Sequence, residues 1–183
     1  GQALDFNGDE LAISELRPGL FGNLGAVHLY ERVAGQWQRT ESLADPGGVF
    51  ILSFGDSPGF DGATVVAGPP SPFVQGQSRG AVSLLRRTGG AFALEATLTA
   101  SNGALGDRFG DDVAVSGDRL VASAPGHGAT GAAYVFERSG GAWSEVAVLG
   151  LPAGSSDDGF GSDVDVDGTT VAVGAQTGND VGT

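Results

Sequence analysis

Residues 110–149, GDDVAVSGDRLVASAPGHGATGAAYVFERSGGAWSEVAVL, contain the pattern from which the architecture can be predicted. Apolar and polar side chains alternate over residues 113–116, which is the period of a β-strand with two different faces. Gly-Asp at Gly117 and Gly-Gly at Gly140 then interrupt the alternation, and both dipeptides favour tight hairpin turns. The stretch therefore predicts four short strands joined as an antiparallel meander.

The second half of this stretch occurs three times without a gap. Each copy begins Gly-Ala and carries Tyr, Leu or Phe five residues later, arginine at the seventh offset and an aromatic residue at the twelfth. The copies are GAVHLYERVAGQWQRTESL (25–43), GAVSLLRRTGGAFALEATL (80–98) and GAAYVFERSGGAWSEVAVL (131–149). Glycine pairs inside two of these copies would resist a helix, so all three are interpreted as strand pairs.

The first half of the stretch recurs as well. Its copies are FGDSPGFDGATVVAGPP (54–70), FGDDVAVSGDRLVASAP (109–125) and FGSDVDVDGTTVAVGAQ (160–176), and residues 1–14 fit the same frame. The turn glycines of these four segments are 51 to 55 residues apart; they are Gly8, Gly62, Gly117 and Gly168. The sequence thus contains four first halves and three second halves.

Such a unit is too small to bury its own faces, so neighbouring units must stack. Radial stacking predicts an all-β fold, a β-propeller of four-stranded antiparallel blades, with about three and a half blades in this chain. A β-solenoid is the structural alternative, although its repeats are usually shorter and lack such hairpin turns. We expect one partial propeller with blades at approximately 1–44, 45–100, 101–150 and 151–183, the last incomplete.

These motifs resemble the FG-GAP repeat family, which forms the blades of the integrin alpha-subunit propeller and occurs in many bacterial secreted proteins. The resemblance is carried by VAGPP, ASAP and AVGAQ, where the family has Gly-Ala-Pro, and by Phe54-Gly55, Phe109-Gly110 and Phe160-Gly161. It implies a propeller, commonly of seven blades, that acts outside the cytoplasm in adhesion or ligand binding. The second blade departs from the pattern, because Pro58 and Gly59 predict a bent or short first strand.

Three and a half blades leave the ring open. We therefore expect that either the rest of a longer polypeptide closes the ring or a second copy completes it to seven units. The chain opens at Gly1 without an initiating methionine, from which we expect a processed or excised piece. Asp5 and Asp165 occupy one strand position in the first and last units, where the middle units have Gly59 and Ala114. We hypothesise that these two acids mark the open ends.

Composition excludes several kinds of partner. The net charge is −13 and all nine basic residues are arginines, with no basic run longer than Arg86-Arg87, so nucleic acid is not expected as a ligand. No apolar run approaches the roughly 20 residues that cross a bilayer, and we expect no membrane insertion. The absence of cysteine excludes disulfides and thiolate metal sites.

The resemblance also implies that a calcium site has to be considered, since some family members hold calcium in a D-x-D-x-D-G loop. Two stretches invite this interpretation, DFNGDE (5–10) and DVDVDG (163–168). In repeat register the aspartates from Asp163 onward fall on alternate positions of a strand, whereas calcium needs oxygens that converge from a loop. Ile13 stands where the first loop would need a carboxylate. We therefore expect no metal and no other cofactor.

The candidate binding residues lie in the long connections. In a propeller the links between strands two and three and between blades emerge on one face, and here they are long and do not repeat. Variable loops on a rigid scaffold are where binding usually occurs. The expected contacts combine guanidinium, imidazole and aromatic groups: Arg17, Phe21, Phe73, Arg79 and His127. Ordinary loop packing is the competing interpretation, and the recurrent Trp37, Phe92 and Trp143 are expected to pack between blades.

No nucleophile-elbow, zinc-protease or phosphate-loop motif is found in the sequence. We therefore expect no enzyme. The sequence favours an extracellular or cell-surface recognition or adhesion module that binds a protein or glycan. A structural subunit of a filament or surface layer, or an accessory propeller of a secreted hydrolase, are the alternatives.

Overall fold

The computed structural model describes residues 3–15, 25–44, 57–68, 79–151 and 159–176. These ranges contain fourteen β-strands and no helix. The strands are β1 (Leu4–Asn7), β2 (Glu10–Glu15), β3 (Ala26–Val33), β4 (Gln36–Ala44), β5 (Pro58–Phe60), β6 (Thr64–Ala67), β7 (Val82–Thr88), β8 (Ala91–Leu98), β9 (Val113–Ser116), β10 (Arg119–Ala124), β11 (Ala132–Ser139), β12 (Ala142–Leu149), β13 (Phe160–Asp167) and β14 (Thr170–Ala175).

The strands form three four-stranded antiparallel sheets and one hairpin. We call them blade 1 (β1–β4), blade 2 (β5–β8), blade 3 (β9–β12) and blade 4 (β13–β14), and within each blade the strands pair in chain order. The inner hairpin turns contain Gly8, Gly62, Gly117 and Gly168, all with φ between 54° and 88°. Glycine adopts this left-handed backbone without steric cost. The predicted all-β meander and partial propeller are confirmed.

Successive blades bury apolar surface between them. Phe60 of blade 2 and Leu29 of blade 1 belong to one buried cluster, and Val166 of blade 4 and Val135 of blade 3 belong to another. The largest cluster joins blades 2 and 3 through Val66, Val82, Leu84, Leu98, Phe109, Val113, Val115, Leu120, Ala122, Ala124, Ala132, Tyr134 and Phe136. Each blade therefore has a leading face, which contacts the preceding blade, and a trailing face, which contacts the following one.

The recurrent Phe-Gly and Gly-Ala motifs meet where backbones of neighbouring blades touch. Phe109 is buried and its ring lies edge-on to Tyr134, with centroids 5.4 Å apart. Gly80 forms a parallel bridge with Phe109, and a Cβ at Gly80 would lie 2.1 Å from the Phe109 carbonyl oxygen. At Gly131 a Cβ would lie 1.9 Å from the Phe160 carbonyl oxygen. Only glycine permits such an approach, which explains the spacing of the motifs.

The short first strand expected in blade 2 is confirmed, and the expected packing of aromatic residues between blades is confirmed for Phe92 and Trp143 but wrong for Trp37. β5 is a strand of three residues, Pro58–Phe60, as its proline and glycine predict. Phe92 and Trp143 pack partly buried against the clusters between blades, whereas Trp37 is exposed. No described blade lies on the leading face of blade 1, which is where the Trp37 ring would find its partner.

Candidate functional site

The antiparallel order of the strands places the long connections on one face, which we call the loop face. Its described parts are residues 99–112, between β8 and β9, and residues 125–131, between β10 and β11. Three predicted contact residues, Arg17, Phe21 and Phe73, lie outside the described residues. The opposite face carries the two-residue glycine turns of the hairpins.

Arg79 lies on the loop face immediately before β7. Its side chain is exposed and makes no hydrogen bond or ion pair with any residue of the described ranges. The adjacent Gly80 is held by its backbone bridge to Phe109, so the arginine is anchored at its base and free at its tip. The guanidinium is therefore presented to solvent from a fixed point.

His127 is fixed by a chain of hydrogen bonds that begins on a buried tyrosine. The Tyr134 hydroxyl donates to Asn102 Oδ1 at 2.7 Å, and Asn102 Nδ2 lies 3.4 Å from His127 Nε2. His127 Nδ1 lies 2.7 Å from Asp107 Oδ2. The neutral tautomer with its proton on Nδ1 satisfies this chain, because Nε2 then accepts from the amide and Nδ1 donates to the carboxylate.

Asp107 joins the two loops. Its buried carboxylate also accepts from the Ala104 amide at 2.8 Å, and its carbonyl accepts from the Gly126 amide at 3.1 Å. Burial raises the pKa of the Tyr134 hydroxyl to about 12, and the charges of Asp107 and Glu145 add to this shift. A neutral tyrosine donor and an acceptor carboxylate therefore support the loops from beneath.

The His127 side chain is placed both to hold the two loops together and to contact a ligand. Its two ring nitrogens contact an amide and a carboxylate, and the ring edge meets Tyr134 at a centroid distance of 5.9 Å. About a quarter of its side chain is exposed. Leu105, in the other described connection, residues 99–112, is 54% exposed. The described loop face thus offers an exposed apolar side chain and a partly exposed imidazole.

The sequence prediction missed Asn102, Asp107 and Tyr134. One signal was present: the third position after each Gly-Ala glycine is polar and buried in every copy, as His28, Ser83 and Tyr134. A recurrent polar residue in a core strand needs a partner, and that partner comes from another strand or loop. For His28 the partner on Nδ1 is Ser42 Oγ at 2.8 Å.

A second group of polar side chains lies around the propeller axis. We call the region lined by the inner strands the hub. Inner strands β1, β5, β9 and β13 follow one another there and line a groove of about 570 Å³. Its acidic lining residues are Asp5, Asp61, Asp165 and Asp167. Each inner strand is the edge of its sheet, so alternate backbone amides point away from the second strand and need other acceptors.

Aspartates of the preceding blade supply those acceptors. Positions are counted back from the turn glycine of each blade. In each pair the donor amide of the next blade lies one residue closer to its turn glycine than the accepting aspartate lies to its own. The bonds run from the Phe60 amide to Asp5 Oδ2 at 2.7 Å, from Gly117 to Asp61 Oδ2 at 2.8 Å and from Val164 to Asp112 Oδ2 at 2.7 Å. Together they connect all four blades along the hub.

Burial is the main cause that raises the pKa values of Asp5 and Asp112, and neighbouring carboxylates raise them further. The amide bonds partly offset the shift. The hypothesis that Asp5 marks an open end is wrong, because its carboxylate lies between blades 1 and 2. Asp165 is exposed on the trailing face of blade 4.

Asp163, Asp165 and Asp167 lie at alternate positions of β13. Within the described ranges, no group of three or more histidine or acidic residues is arranged to hold a metal ion. The same ranges contain no helix of the length and apolarity that crossing a membrane requires.

Comparison with known families finds a repeat. Residues 92–136 and 143–183 match a family model described as FG-GAP repeat, and the two segments make up nearly half of the chain. No curated protein matches the chain.

Proposed function

Because the chain carries repeats of the FG-GAP family on a partial propeller, we propose that it is a non-enzymatic recognition or adhesion module that binds a protein or glycan through its loop face. FG-GAP repeats are typical of extracellular proteins, which supports a place outside the cytoplasm or at the cell surface. Ligand contacts at Arg79 and His127, and at Arg17, Phe21 and Phe73, belong to this proposal.

One observation supports the loop face above the others: its described connections are braced. Hydrogen bonds from Asp107 and Asn102 connect residues 99–112 to His127. The same series of hydrogen bonds includes Tyr134, which is buried in the cluster between blades 2 and 3. Loops that are ordered before binding lose less conformational entropy when a ligand arrives. The opposite face consists of short glycine turns that repeat from blade to blade and offer little variety to a ligand.

The exposed groups suit a ligand with both apolar and hydrogen-bonding parts. Leu105 contributes apolar area, His127 contributes an imidazole edge and Arg79 contributes a cation that is not neutralised by a described partner. Aromatic and guanidinium groups are enriched where proteins recognise one another. The net charge of −13 opposes binding of polyanions such as nucleic acid.

The test is binding by the purified chain to a glycan array and to immobilised collagen, fibronectin and laminin. Leu105→Ser is expected to weaken the observed binding, whereas Leu94→Ser is the matched control because Leu94 is also exposed, at 44% against 54%, on outer strand β8. Arg79→Ser is compared in the same way with Arg39→Ser on β4. Equal losses in both members of each pair, or no binding to either panel, would contradict the proposal.

A second candidate, a structural subunit of a filament or surface layer, is favoured by a different observation. Leu4 and Phe6 are exposed apolar residues on a face of blade 1 that no described blade covers, and a copy of the chain could attach there. Ordered self-association without added ligand would favour this function over ligand recognition.

A further inference from the structure

The leading face of blade 1 has the composition of an interface between blades. Two residues before the turn glycine, the inner strands of blades 2, 3 and 4 carry Phe60, Val115 and Val166, all buried against the preceding blade. Blade 1 carries Phe6 at this position, and Phe6 is 55% exposed; Leu4, two residues earlier, is 57% exposed. Blade 1 thus presents the same apolar positions with no described blade against them.

Trp37 extends this surface. Its ring lies 6.2 Å from that of Phe6, and it is exposed. The equivalent residues Phe92 and Trp143 pack against the clusters that join their blades to the preceding ones. The Phe6 and Trp37 pair is therefore the unburied counterpart of contacts that occur twice within the chain.

Arg32 adds a charge to the same face. Its equivalent in blade 2, Arg87, pairs with Glu10 of blade 1 at 2.7 Å, and Arg138 of blade 3 pairs with Glu95 of blade 2 at 2.7 Å. Arg32 is exposed and has no ion pair among the described residues. By its repeat position it would meet an acidic group on a blade placed before blade 1.

The trailing face of blade 4 is acidic and complements this arginine. β13 carries three exposed aspartates, and each stands in register with an aspartate that accepts an amide of the next blade elsewhere in the chain. Asp163, Asp165 and Asp167 correspond in this way to Asp112, Asp5 and Asp61. β13 therefore carries a carboxylate at each of the three acceptor positions, whereas each preceding blade carries an aspartate acceptor at one of them, and blade 3 adds the Ser116 hydroxyl at a second.

Asp165 already has the orientation of a docked residue. Its Oδ1 accepts from the Val166 amide at 2.8 Å, as Asp5 Oδ1 accepts from the Phe6 amide at 2.7 Å. In Asp5 the other oxygen accepts from Phe60 of the next blade. The matching oxygen of Asp165 faces solvent on the trailing side.

We propose that the leading face of blade 1 docks on the trailing face of blade 4 of a second copy of this chain. Asp163 and Asp167 then accept from the amides of Leu4 and Gly8 of that copy, in the register seen between blades within the chain, and Asp165 shares the Phe6 amide with Asp5 Oδ1. Leu4, Phe6 and Trp37 become buried, and Arg32 meets an acidic surface. The contact joins two different faces, so it either closes a ring of two copies or continues as a filament. It does not use the loop face and does not depend on the proposed ligand.

The first test is the molar mass of the chain by light scattering over a range of concentrations. We expect two copies or more, and Phe6→Asp should weaken association by about 30-fold or more, because it replaces a central apolar contact by a charge of the same sign as its partner face. Val146→Asp on outer strand β12 is the control, since Val146 is also exposed and lies on neither end face. A wild-type chain that stays monomeric, or an equal effect of both substitutions, would overturn the proposal.

The second test separates this contact from a symmetric one. Phe6→Asp disables one face, and the triple variant Asp163→Lys, Asp165→Lys, Asp167→Lys disables the other. Each variant alone should be monomeric, and an equal mixture should form a one-to-one complex through the single intact contact. Thermal unfolding verifies that both variants fold, and Asp163→Asn, Asp165→Asn, Asp167→Asn replaces the lysine variant if it does not. A mixture that stays monomeric would overturn the proposal.

Discussion

Removing the Asp112 carboxylate should destabilise the junction between blades 3 and 4. Asp112 accepts from the Val164 amide at 2.7 Å and from the Ser57 hydroxyl, so one side chain contacts blades 2 and 4 from blade 3. In Asp112→Ala both donors lose their acceptor. A hydrogen bond to a charged group contributes about 1.5 to 3 kcal/mol. Burial and the nearby Asp163, which raise the pKa of Asp112, offset part of this gain.

We therefore expect Asp112→Ala to lower the free energy of unfolding by about 2 to 3 kcal/mol. For a chain of this size that corresponds to a melting temperature lower by about 4 to 12 °C. Urea and thermal unfolding followed by circular dichroism measure both quantities. Asp118→Ala is the matched control, because Asp118 is exposed and its nearest cation, Arg138, lies 3.6 Å away. It should change stability by less than about 0.5 kcal/mol.

The pH dependence gives an independent check with Asp112→Asn. Because the pKa of Asp112 is higher in the folded chain than in the unfolded one, the folded chain binds this proton more tightly. Its contribution to stability is greatest at and below pH 3.8 and decreases as the pH rises through the raised folded pKa. The asparagine variant lacks this titration, so the stability difference between wild type and variant should be largest at acidic pH. An Asp112→Ala variant as stable as Asp118→Ala, or the opposite pH trend, would refute this reasoning.

Two further predictions concern the blade junction and the loop face. Gly131→Ala places a Cβ 1.9 Å from the Phe160 carbonyl oxygen and should cost more than about 3 kcal/mol or prevent folding. Gly141→Ala has nearly the same φ (84° against 87°), but the nearest atom to its Cβ is Nη2 of the Arg138 side chain at 4.0 Å, so it should cost about 1 to 2 kcal/mol in urea unfolding. Equal costs would show that backbone strain alone requires glycine at residue 131. Absorbance titration should find one of the two tyrosines ionising near pH 12, and Tyr134→Phe should remove that transition. Since the pKa of Tyr134 is raised in the folded chain, wild-type stability should decrease as the pH rises from 10 towards 12, and this decrease should be absent in Tyr134→Phe. A transition near pH 12 that persists in Tyr134→Phe would contradict the assignment.

The fold was predictable because its signals are local. Strand alternation and the turn glycines lie within a few residues of one another, and their recurrence every 51 to 55 residues requires stacked units. The shortness of β5 followed from Pro58 and Gly59 for the same reason. Backbone contact between blades, which explains Gly80 and Gly131, needed the structure because it joins segments distant in sequence.

The candidate site was predictable only in part. His127 was chosen for its residue type and loop, but its bonds to Asn102 and Asp107 span 25 and 20 residues without a recognisable motif. At the hub the accepting aspartate occupies a different position of the inner strand in each blade, as Asp5, Asp61 and Asp112 show. An alignment of the blades therefore does not reveal that the three residues have the same role. Alignment alone therefore linked Asp5 to Asp165 and led to the wrong placement of Asp5.

The bonds between blades at the hub are tested most directly by native-state hydrogen exchange of two backbone amides. Phe60 and Val164 lie on edge strands, and their protection depends on carboxylates of the preceding blade, Asp5 and Asp112. Both amides should exchange slowly in the wild-type chain, and Asp112→Ala should accelerate exchange at Val164 while leaving Phe60 protected. Rapid exchange at Val164 in the wild type, or an unchanged rate in Asp112→Ala, would contradict a hub held together by aspartate side chains.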